Sequence, residues 1–221
     1  MEAASQRRSD LVVLPRLNAI VDVGAAERAG WDPAELARAF LAGGARFLQL
    51  RAKSMPSGAL LSLARDLTSR ARDVGATLIV NDRADIARLA GADGVHLGQD
   101  DLPVAAARAI LGPAAVIGKS THTSDQLAVA AAEPIDYLAI GPVFGSSTKD
   151  TGYEPVGLEM VRRAASFGRP LVAIGGITIG NAMSVVEAGA ASVAVIGDLL
   201  ATRDPEARVR AYVKALAGAS V

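Results

Sequence analysis

Short apolar runs recur along the chain and predict a series of buried strands. Each run spans four to six residues and is rich in branched side chains. Runs of this length and composition are typical of parallel strands that are covered on both faces. Eight runs fit this description: LNAIVD (17–22), FLQLR (47–51), LIVN (78–81), GVHLG (94–98), VIGKS (116–120), YLAIGP (137–142), LVAIGG (171–176) and SVAVIG (192–197).

The segments between these runs carry the start and stop signals of helices. Asp32 and Pro33 supply an N-cap and a first helical residue, and Gly43 supplies a stop. Asp204 and Pro205 open the last helix in the same way. Further helices are predicted within residues 102–112, 154–168 and 179–190, and a short one is predicted between residues 82 and 91.

Strands that alternate with helices in this way predict an α/β protein built as a single (β/α)8 TIM barrel. The domain would cover residues 1–221, with residues 1–16 as an N-terminal extension. An open, doubly wound sheet is the alternative fold. It is the weaker interpretation because no GxGxxG motif follows a strand in the context of a dinucleotide site.

Composition narrows the classes of function. The 221 residues are 51% hydrophobic and 21% charged, which excludes general disorder, and the formal net charge is +0. A neutral chain has no overall field that would attract nucleic acid or an anionic membrane, so neither is an expected partner. With no cysteine and two histidines, the chain has no thiolate nucleophile, and a metal site with several histidines is not expected.

Localisation and assembly are constrained less strongly. The apolar run at residues 11–14 stops at Pro15, which makes it too short for the core of a signal peptide. No apolar stretch reaches the roughly 18 residues of a membrane span. We therefore expect a cytoplasmic protein, and the sequence leaves the formation of a homo-oligomer open.

Charged and polar residues follow several of the predicted strands at their carboxyl ends. In a TIM barrel these ends face one site. Mg²⁺ is typically held by one or two carboxylates together with phosphate oxygens of the substrate, and Asp82 and Asp101 fit that role. Arg51, Lys53 and Lys149 could bind the remaining phosphate oxygens. Taken alone, Asp82 could instead cap the short helix that follows it.

A second phosphate is indicated after the last three strands. Gly176 and Gly197 follow the seventh and eighth strands, where backbone N–H groups can approach an anion closely. The segment SSTK at residues 146–149 adds hydroxyl donors. The residues therefore indicate a barrel that binds two phosphorylated groups, one of them through a metal.

Five motifs resemble, in order, those of the thiamine phosphate synthase family: LQLRAK, NDRADIARLAGADGVHLGQDDLP, IGKSTHT, GPVFGSSTK and VAIGGI. The resemblance covers roughly residues 17 to 200. It implies an enzyme that joins a pyrimidine methyl diphosphate to a thiazole phosphate, or to its carboxylated form, with release of pyrophosphate. The implied reaction is a Mg²⁺-assisted dissociative substitution in which pyrophosphate leaves before the thiazole nitrogen attacks.

The resemblance also implies a role for individual residues. The pyrimidine would contact Gln49, Mg²⁺ would be held by Asp82 and Asp101, and Gly197 would lie among the substrate-binding residues. The residues expected at the diphosphate are Arg51, Lys53, Asn81, Ser120 and Lys149, and those expected at the thiazole phosphate are Ser146, Thr148 and Gly176. Of these, the expected catalytic set is Arg51, Lys53, Ser120 and Lys149.

This chain departs from the family pattern in three places. Gly145 stands where a proline is usual, Gly197 stands where a serine often closes the eighth strand, and Lys119 replaces a small apolar residue. Two other functions remain as alternatives: a thiazole tautomerase-like relative, with His122 as its acid or base, and a barrel that binds phosphorylated ligands without catalysis. A tautomerase does not need the diphosphate and metal residues, so their presence favours the synthase.

Overall fold

The structure is a computed structural model that describes residues 13–145 and 152–218, and there the chain forms a closed barrel of eight parallel strands. Each strand pairs with the next along the chain, and the last pairs with the first. The strands are β1 (Leu17–Asp22), β2 (Phe47–Arg51), β3 (Thr77–Asn81), β4 (Gly94–Leu97), β5 (Val116–Thr121), β6 (Tyr137–Ile140), β7 (Leu171–Ile174) and β8 (Ser192–Val195). The predicted (β/α)8 barrel is confirmed, and the open-sheet alternative is wrong.

Helices follow the strands and cover the outside of the barrel. In the described part of the chain they are α1 (Val23–Arg28), α2 (Pro33–Ala42), α3 (Ser57–Asp73), α4 (Ala84–Ala90), α5 (Val104–Leu111), α6 (Ser124–Ala131), α7 (Gly157–Ala165), α8 (Ala182–Glu187), a 3-10 helix (Gly197–Leu200) and α9 (Pro205–Leu216). None of these helices is long and apolar enough to cross a membrane.

The predicted helix caps form as expected. The side chain of Asp32 accepts hydrogen bonds from the backbone N–H groups of Ala34 and Glu35, at 2.9 and 3.1 Å. Asp204 accepts one from Ala207 at 2.9 Å. Each cap satisfies backbone donors that have no partner inside the first turn of a helix.

Several strands end earlier than the apolar runs that predicted them. β6 ends at Ile140, ahead of Pro142, which has no backbone N–H to give to a neighbouring strand. β7 ends at Ile174 because Gly175 and Gly176 adopt φ values of +101° and +61°, outside the extended region. The chain leaves the sheet at these points and forms loops at the carboxyl-terminal face.

Two apolar layers hold the barrel together, because successive side chains of a strand point to opposite faces. One layer fills the barrel interior and includes Ile20, Phe47, Ile79, Tyr137 and Val172. The larger layer lies between the strands and the helices. The interior layer is interrupted by polar side chains that are also buried: Asn18, Gln49 and His96.

We expect Gly94→Ala to destabilise the barrel. A Cβ at residue 94 would lie 1.8 Å from the backbone oxygen of Val116 on the paired strand β5, so the two strands would have to separate. Overpacking of this kind costs about 1–3 kcal/mol or more in unfolding free energy, measurable by denaturant or thermal unfolding. Gly58→Ala is the matched control, since a Cβ there meets nothing within 4 Å, and its stability should be equal or higher. Equal stability for both variants would contradict this account of Gly94.

Candidate active site

A cavity of about 460 Å³ opens at the carboxyl-terminal end of the barrel. Its volume lies in the range of about 300–1,000 Å³ that is usual for small-molecule sites. Its polar wall includes Asn18, Gln49, Arg51, Asn81, His96 and Ser120, and its apolar wall includes Ile20, Ala139, Val172, Ile174, Ala194 and Ile196. The cavity can therefore hold an aromatic group against the apolar side while polar groups fix its orientation.

Arg51, at the end of β2, is held by a buried carboxylate on the neighbouring strand. Asp22 ends β1 opposite Arg51, and its side chain forms an ion pair with the guanidinium. The same carboxylate caps α1 by accepting a 2.8 Å hydrogen bond from the N–H of Ala25. Asp22 is thus fixed by the backbone and in turn orients Arg51 at the cavity wall.

Asp82 has a backbone conformation that turns it away from the strand it follows. Its φ is +65°, and its N–H donates a 2.8 Å hydrogen bond to the carbonyl of His96 on β4. Its carboxylate binds the ammonium of Lys53 at 2.5 Å. The N-cap of α4 is Arg83, which makes no side-chain cap hydrogen bond, so the capping role considered for Asp82 is not seen.

Asp101 lies beside Asp82 at the rim, after β4. Its carboxylate accepts a 2.6 Å hydrogen bond from the N–H of Gly98. Burial raises the pKa of Asp101 above its usual value, and the neighbouring Asp82 raises it further by a hydrogen bond and by its charge. The two predicted metal ligands therefore lie together. A bound cation would offset the repulsion between their charges.

The rim carries an excess of negative charge among these described residues, since Arg51 and Lys53 face three carboxylates, Asp22, Asp82 and Asp101. An anion would be repelled by these carboxylates unless a further cation were present. Within residues 13–145 and 152–218, no group of three or more His, Asp or Glu side chains could hold a metal. A divalent ion at Asp82 and Asp101 would therefore take its remaining ligands from water or substrate oxygens.

The middle of the polar wall is formed by residues on β2, β3 and β5. Gln49 is buried, and Asn81 and Ser120 are half-buried, and all three side chains line the cavity. Ser120 Oγ lies 2.7 Å from Nε2 of His96, which links it to the barrel interior. Four of the predicted site residues, Gln49, Arg51, Asn81 and Ser120, thus line one cavity.

The opposite end of the cavity is bounded by the loop after β7. The side chain of Asn181 folds this loop back on itself by donating to the carbonyl of Gly176 at 3.1 Å and accepting from the N–H of Thr178 at 2.8 Å. Gly176 and Gly197 both line the cavity. A Cβ at Gly176 would lie 2.4 Å from the backbone oxygen of Gly145, so the close packing of two loops requires glycine there.

Asp198 follows Gly197 at the cavity wall, and its carboxylate is bound by three other residues. Arg208 of α9 binds both carboxylate oxygens at 2.8 Å. Tyr212 donates to it at 2.5 Å, and the N–H of Ile179 donates at 3.1 Å. The charge of Asp198 is therefore neutralised locally, and the residue ties the loop after β7 to the last helix.

His122 stands at the edge of the cavity, after β5. Its Nδ1 lies 2.5 Å from the carbonyl oxygen of Gly141, and its ring stacks on Tyr153 with a centroid distance of 4.1 Å. Its backbone N–H donates to Gln126 at 2.8 Å. These contacts join the loops that follow β5 and β6.

Sequence reasoning missed Asp22 and Asn18 at this site. Asp22 had a usable signal, because it ends an apolar run just as Asp82 follows one. Asn18 had none, since it lies within an apolar run and its inward direction depends on the closed sheet. The predicted residues Ser146, Thr148 and Lys149 lie outside the described part of the chain.

Known proteins of one family match most of the chain. The family model described as thiamine monophosphate synthase matches residues 17–199. The thiamine-phosphate synthase of Koribacter versatilis is 46% identical over 209 residues, covering 92% of this chain and 96% of the relative. That of Roseiflexus sp. (strain RS-1) is 40% identical over 215 residues, covering 96% of this chain and 91% of the relative.

Solved structures support the same assignment. The thiamine phosphate pyrophosphorylase from Pyrococcus furiosus superposes with a TM-score of 0.82 at 32% identity, covering 91% of this chain and 95% of that one. A 3-hexulose-6-phosphate synthase superposes with a TM-score of 0.63 at 18% identity, which reflects the shared barrel fold alone. The family match over most of the chain, together with these relatives, shows that the chain belongs to the thiamine phosphate synthase family, whose members are transferases of thiamine biosynthesis.

Proposed function

We propose that this protein joins 4-amino-2-methyl-5-(diphosphomethyl)pyrimidine to 4-methyl-5-(2-phosphoethyl)thiazole, or to its carboxylated form, and releases pyrophosphate. The observation that carries the proposal is one cavity with a cationic and acidic rim at one end and a close-packed glycine loop at the other. Two phosphorylated substrates can enter such a cavity from opposite ends. Their reacting atoms would then meet over the barrel interior.

The diphosphate is assigned to the rim after β2 to β5. Arg51 would bind it as a preoriented guanidinium, because Asp22 already holds that side chain in place. Lys53, Asn81 and Ser120 would supply further donors. Lys149 completes the proposed set and lies outside the described residues.

Asp82 and Asp101 would hold Mg²⁺, and the arrangement of the pair fits the ion. Both are carboxylates, both are close enough to interact, and the pKa of Asp101 is raised by burial and by its neighbour. Lys53 occupies one oxygen of Asp82 and would move toward the diphosphate when a cation takes its place. Bound Mg²⁺ would neutralise charge on the diphosphate oxygens.

The chain's own residues would promote departure of the leaving group by placing positive charge where negative charge grows. Donors that are fixed before the reaction need no reorganisation during it, which lowers the barrier to bond cleavage. Arg51, Lys53 and Lys149 are proposed for this role, with Ser120 as a neutral donor. We propose that the carbon–oxygen bond to pyrophosphate breaks first and that the thiazole nitrogen then attacks the pyrimidine methyl carbon, with no covalent bond to the protein.

The pyrimidine is assigned to the deep end of the cavity, beside Gln49 and Asn18. Asn18 is 1% exposed, and neither its amide nitrogen nor its amide oxygen has a hydrogen-bond partner among the described residues. An amide offers one donor and one acceptor side by side, as does the edge of a 4-aminopyrimidine formed by its amino group and ring nitrogen. The two edges are complementary, which supports this position for the ring.

The thiazole phosphate is assigned to the loops after β6, β7 and β8. Gly176 and Gly197 would let the backbone approach the phosphate, while Ser146 and Thr148, outside the described residues, would add hydroxyl donors. Because Arg208 neutralises the charge of Asp198, that carboxylate would not repel a phosphate bound nearby. A tautomerase acting on the thiazole alone would leave the carboxylates at the diphosphate rim without a role.

The remaining features are proposals of the same kind. We propose one domain over residues 1–221, with residues 1–16 as an extension. Leu14 is already buried against the interior layer, so packing begins shortly before β1. A cytoplasmic location is proposed from the phosphorylated substrates.

Asp82→Asn and Asp101→Asn should each raise the Mg²⁺ concentration for half-maximal activity by about 10–100-fold, as loss of metal-site residues does. Asparagine keeps the left-handed backbone of residue 82 accessible, so the change tests the charge and not the fold. The measurement is product formation against Mg²⁺ concentration. Asp85→Asn, at an exposed carboxylate paired with Arg83, is the control and should behave as wild type. Normal Mg²⁺ dependence in both rim variants would refute the metal assignment.

Gly176→Ala should raise KM for the thiazole phosphate about tenfold, which corresponds to ~1.4 kcal/mol, while KM for the pyrimidine changes little. The added Cβ would push against Phe144 and against Gly145, which lines that end of the cavity. Gly168→Ala is a matched control, because its φ of +71° is strained in the same way but a Cβ there meets nothing within 4 Å. Equal increases in both KM values would argue against a separate thiazole end.

Asn18→Leu should stabilise the free protein by about 1 kcal/mol, because it removes an unpaired buried amide, and should raise KM for the pyrimidine about tenfold. Thermal unfolding and initial rates measure the two effects. Asn181→Leu is the control for stability, since the amide of Asn181 is bonded to Gly176 and Thr178 and its loss should destabilise. If Asn18→Leu leaves the pyrimidine KM unchanged, the ring is not recognised by this amide.

A further inference from the structure

Three side chains from neighbouring strands form a hydrogen-bonded chain through the barrel interior. Tyr137 of β6 places its hydroxyl 2.9 Å from Nδ1 of His96 on β4. Nε2 of the same ring lies 2.7 Å from Oγ of Ser120 on β5. Ser120 lines the cavity, so this chain connects a fully buried phenol to the substrate site.

Gly118 of β5 leaves the space through which Tyr137 of β6 reaches His96 of β4. The register pairs His96 with Gly118 and Gly118 with Tyr137, so all three residues lie side by side on the inner face. A Cβ at residue 118 would lie 2.0 Å from Cζ of Tyr137 and 2.4 Å from its hydroxyl. The tyrosine side chain therefore crosses β5 through the space that this glycine leaves.

The direction of the hydrogen bonds follows from the burial of Tyr137. Burial raises the pKa of its phenol well above the usual value, so the hydroxyl keeps its proton. Among the described residues, the hydroxyl has one hydrogen-bond partner, Nδ1 of His96. The phenolic O–H therefore has an acceptor only if Nδ1 is unprotonated and accepts a hydrogen bond from it.

The opposite direction leaves a buried donor without an acceptor. If Nδ1 carried a proton, it would donate to the phenol oxygen, and the phenolic proton would point into the apolar interior. The same holds for a doubly protonated ring. An unsatisfied buried donor is costly, and nearly all buried polar groups in proteins are paired for that reason.

We infer that Tyr137 holds His96 in the neutral tautomer protonated on Nε2, so that Nε2–H donates to Ser120 and the hydroxyl proton of Ser120 points into the cavity. Tyr137 and His96 are thus positioning residues that make Ser120 a donor. The functional half of this inference rests on the proposed diphosphate at Ser120. The tautomer itself does not depend on any substrate.

The tautomer can be measured directly in the full-length protein labelled with ¹⁵N-histidine, because the chain has only two histidines. Their resonances are assigned with His122→Gln. We expect His96 to show an unprotonated Nδ1 and a protonated Nε2. A proton on Nδ1, or on both nitrogens, would overturn the inference, and this result needs no active enzyme.

Tyr137→Phe removes the phenolic donor while keeping the ring that fills the space over Gly118. In this variant we expect the proton of His96 to be no longer confined to Nε2. Tyr212→Phe is the matched control, because it removes another buried tyrosine hydroxyl, one that donates to Asp198 and does not contact His96. An unchanged tautomer in Tyr137→Phe, or an equal change in Tyr212→Phe, would contradict the role of Tyr137.

Measurements of kcat test whether the tautomer of His96 acts on the reaction through Ser120. We expect Tyr137→Phe and Ser120→Ala each to lower kcat about tenfold, and the double variant to be no slower than Ser120→Ala alone, because groups that act in one network are not additive. Additive losses would show that Tyr137 acts independently of Ser120. If wild type forms no product while the expected tautomer is observed, the proposed function fails and the positioning of the hydroxyl stands.

Discussion

The hydrogen bonds between β1 and β8 are the constraint on which the rest of the molecule depends. They turn a row of parallel strands into a closed barrel, so that no strand edge is left unpaired. Closure also divides the side chains of every strand into an interior set and a helix-facing set. Because all strands run in one direction, every loop that follows a strand opens at the same end, and the polar strand ends become neighbours.

The rim combines charges that would be unfavourable if they were left uncompensated. Asp22 and Arg51 neutralise each other at the cavity wall, and Lys53 neutralises Asp82. Asp101 then remains as a carboxylate whose ionised form is disfavoured by burial and by Asp82. The charges of the rim are thus balanced by local pairs and not by the overall charge of the chain.

The interior of the barrel is as specific as its rim. Small residues such as Gly118 leave space that a large side chain from the next strand fills, and this brings Tyr137 within reach of His96. The same interior leaves Asn18 with an unpaired amide at the cavity floor. Polar groups at this depth are costly unless a partner satisfies them, which is why their arrangement indicates a binding site and not only a core.

The strands, the helix caps at Asp32 and Asp204 and the position of Asp82 and Asp101 after successive strands could all be predicted from the printed residues. These features depend on local patterns: apolar runs, capping side chains and residues that follow a strand directly. The loop with φ of +101° and +61° at Gly175 and Gly176 was also indicated by its two glycines, although the strand was expected to extend through them.

The pairing of Asp22 with Arg51, the unpaired amide of Asn18 and the chain from Tyr137 to Ser120 could not be predicted in this way. Each of these features depends on the positions of side chains on different strands. Whether such side chains are in contact is set by the register between the strands and by which face of each strand turns inward. A one-residue shift in register would reverse that face for a whole strand. Local sequence was therefore sufficient for the elements and the loops that carry the chemistry, whereas the contacts between side chains were decided by closure of the sheet.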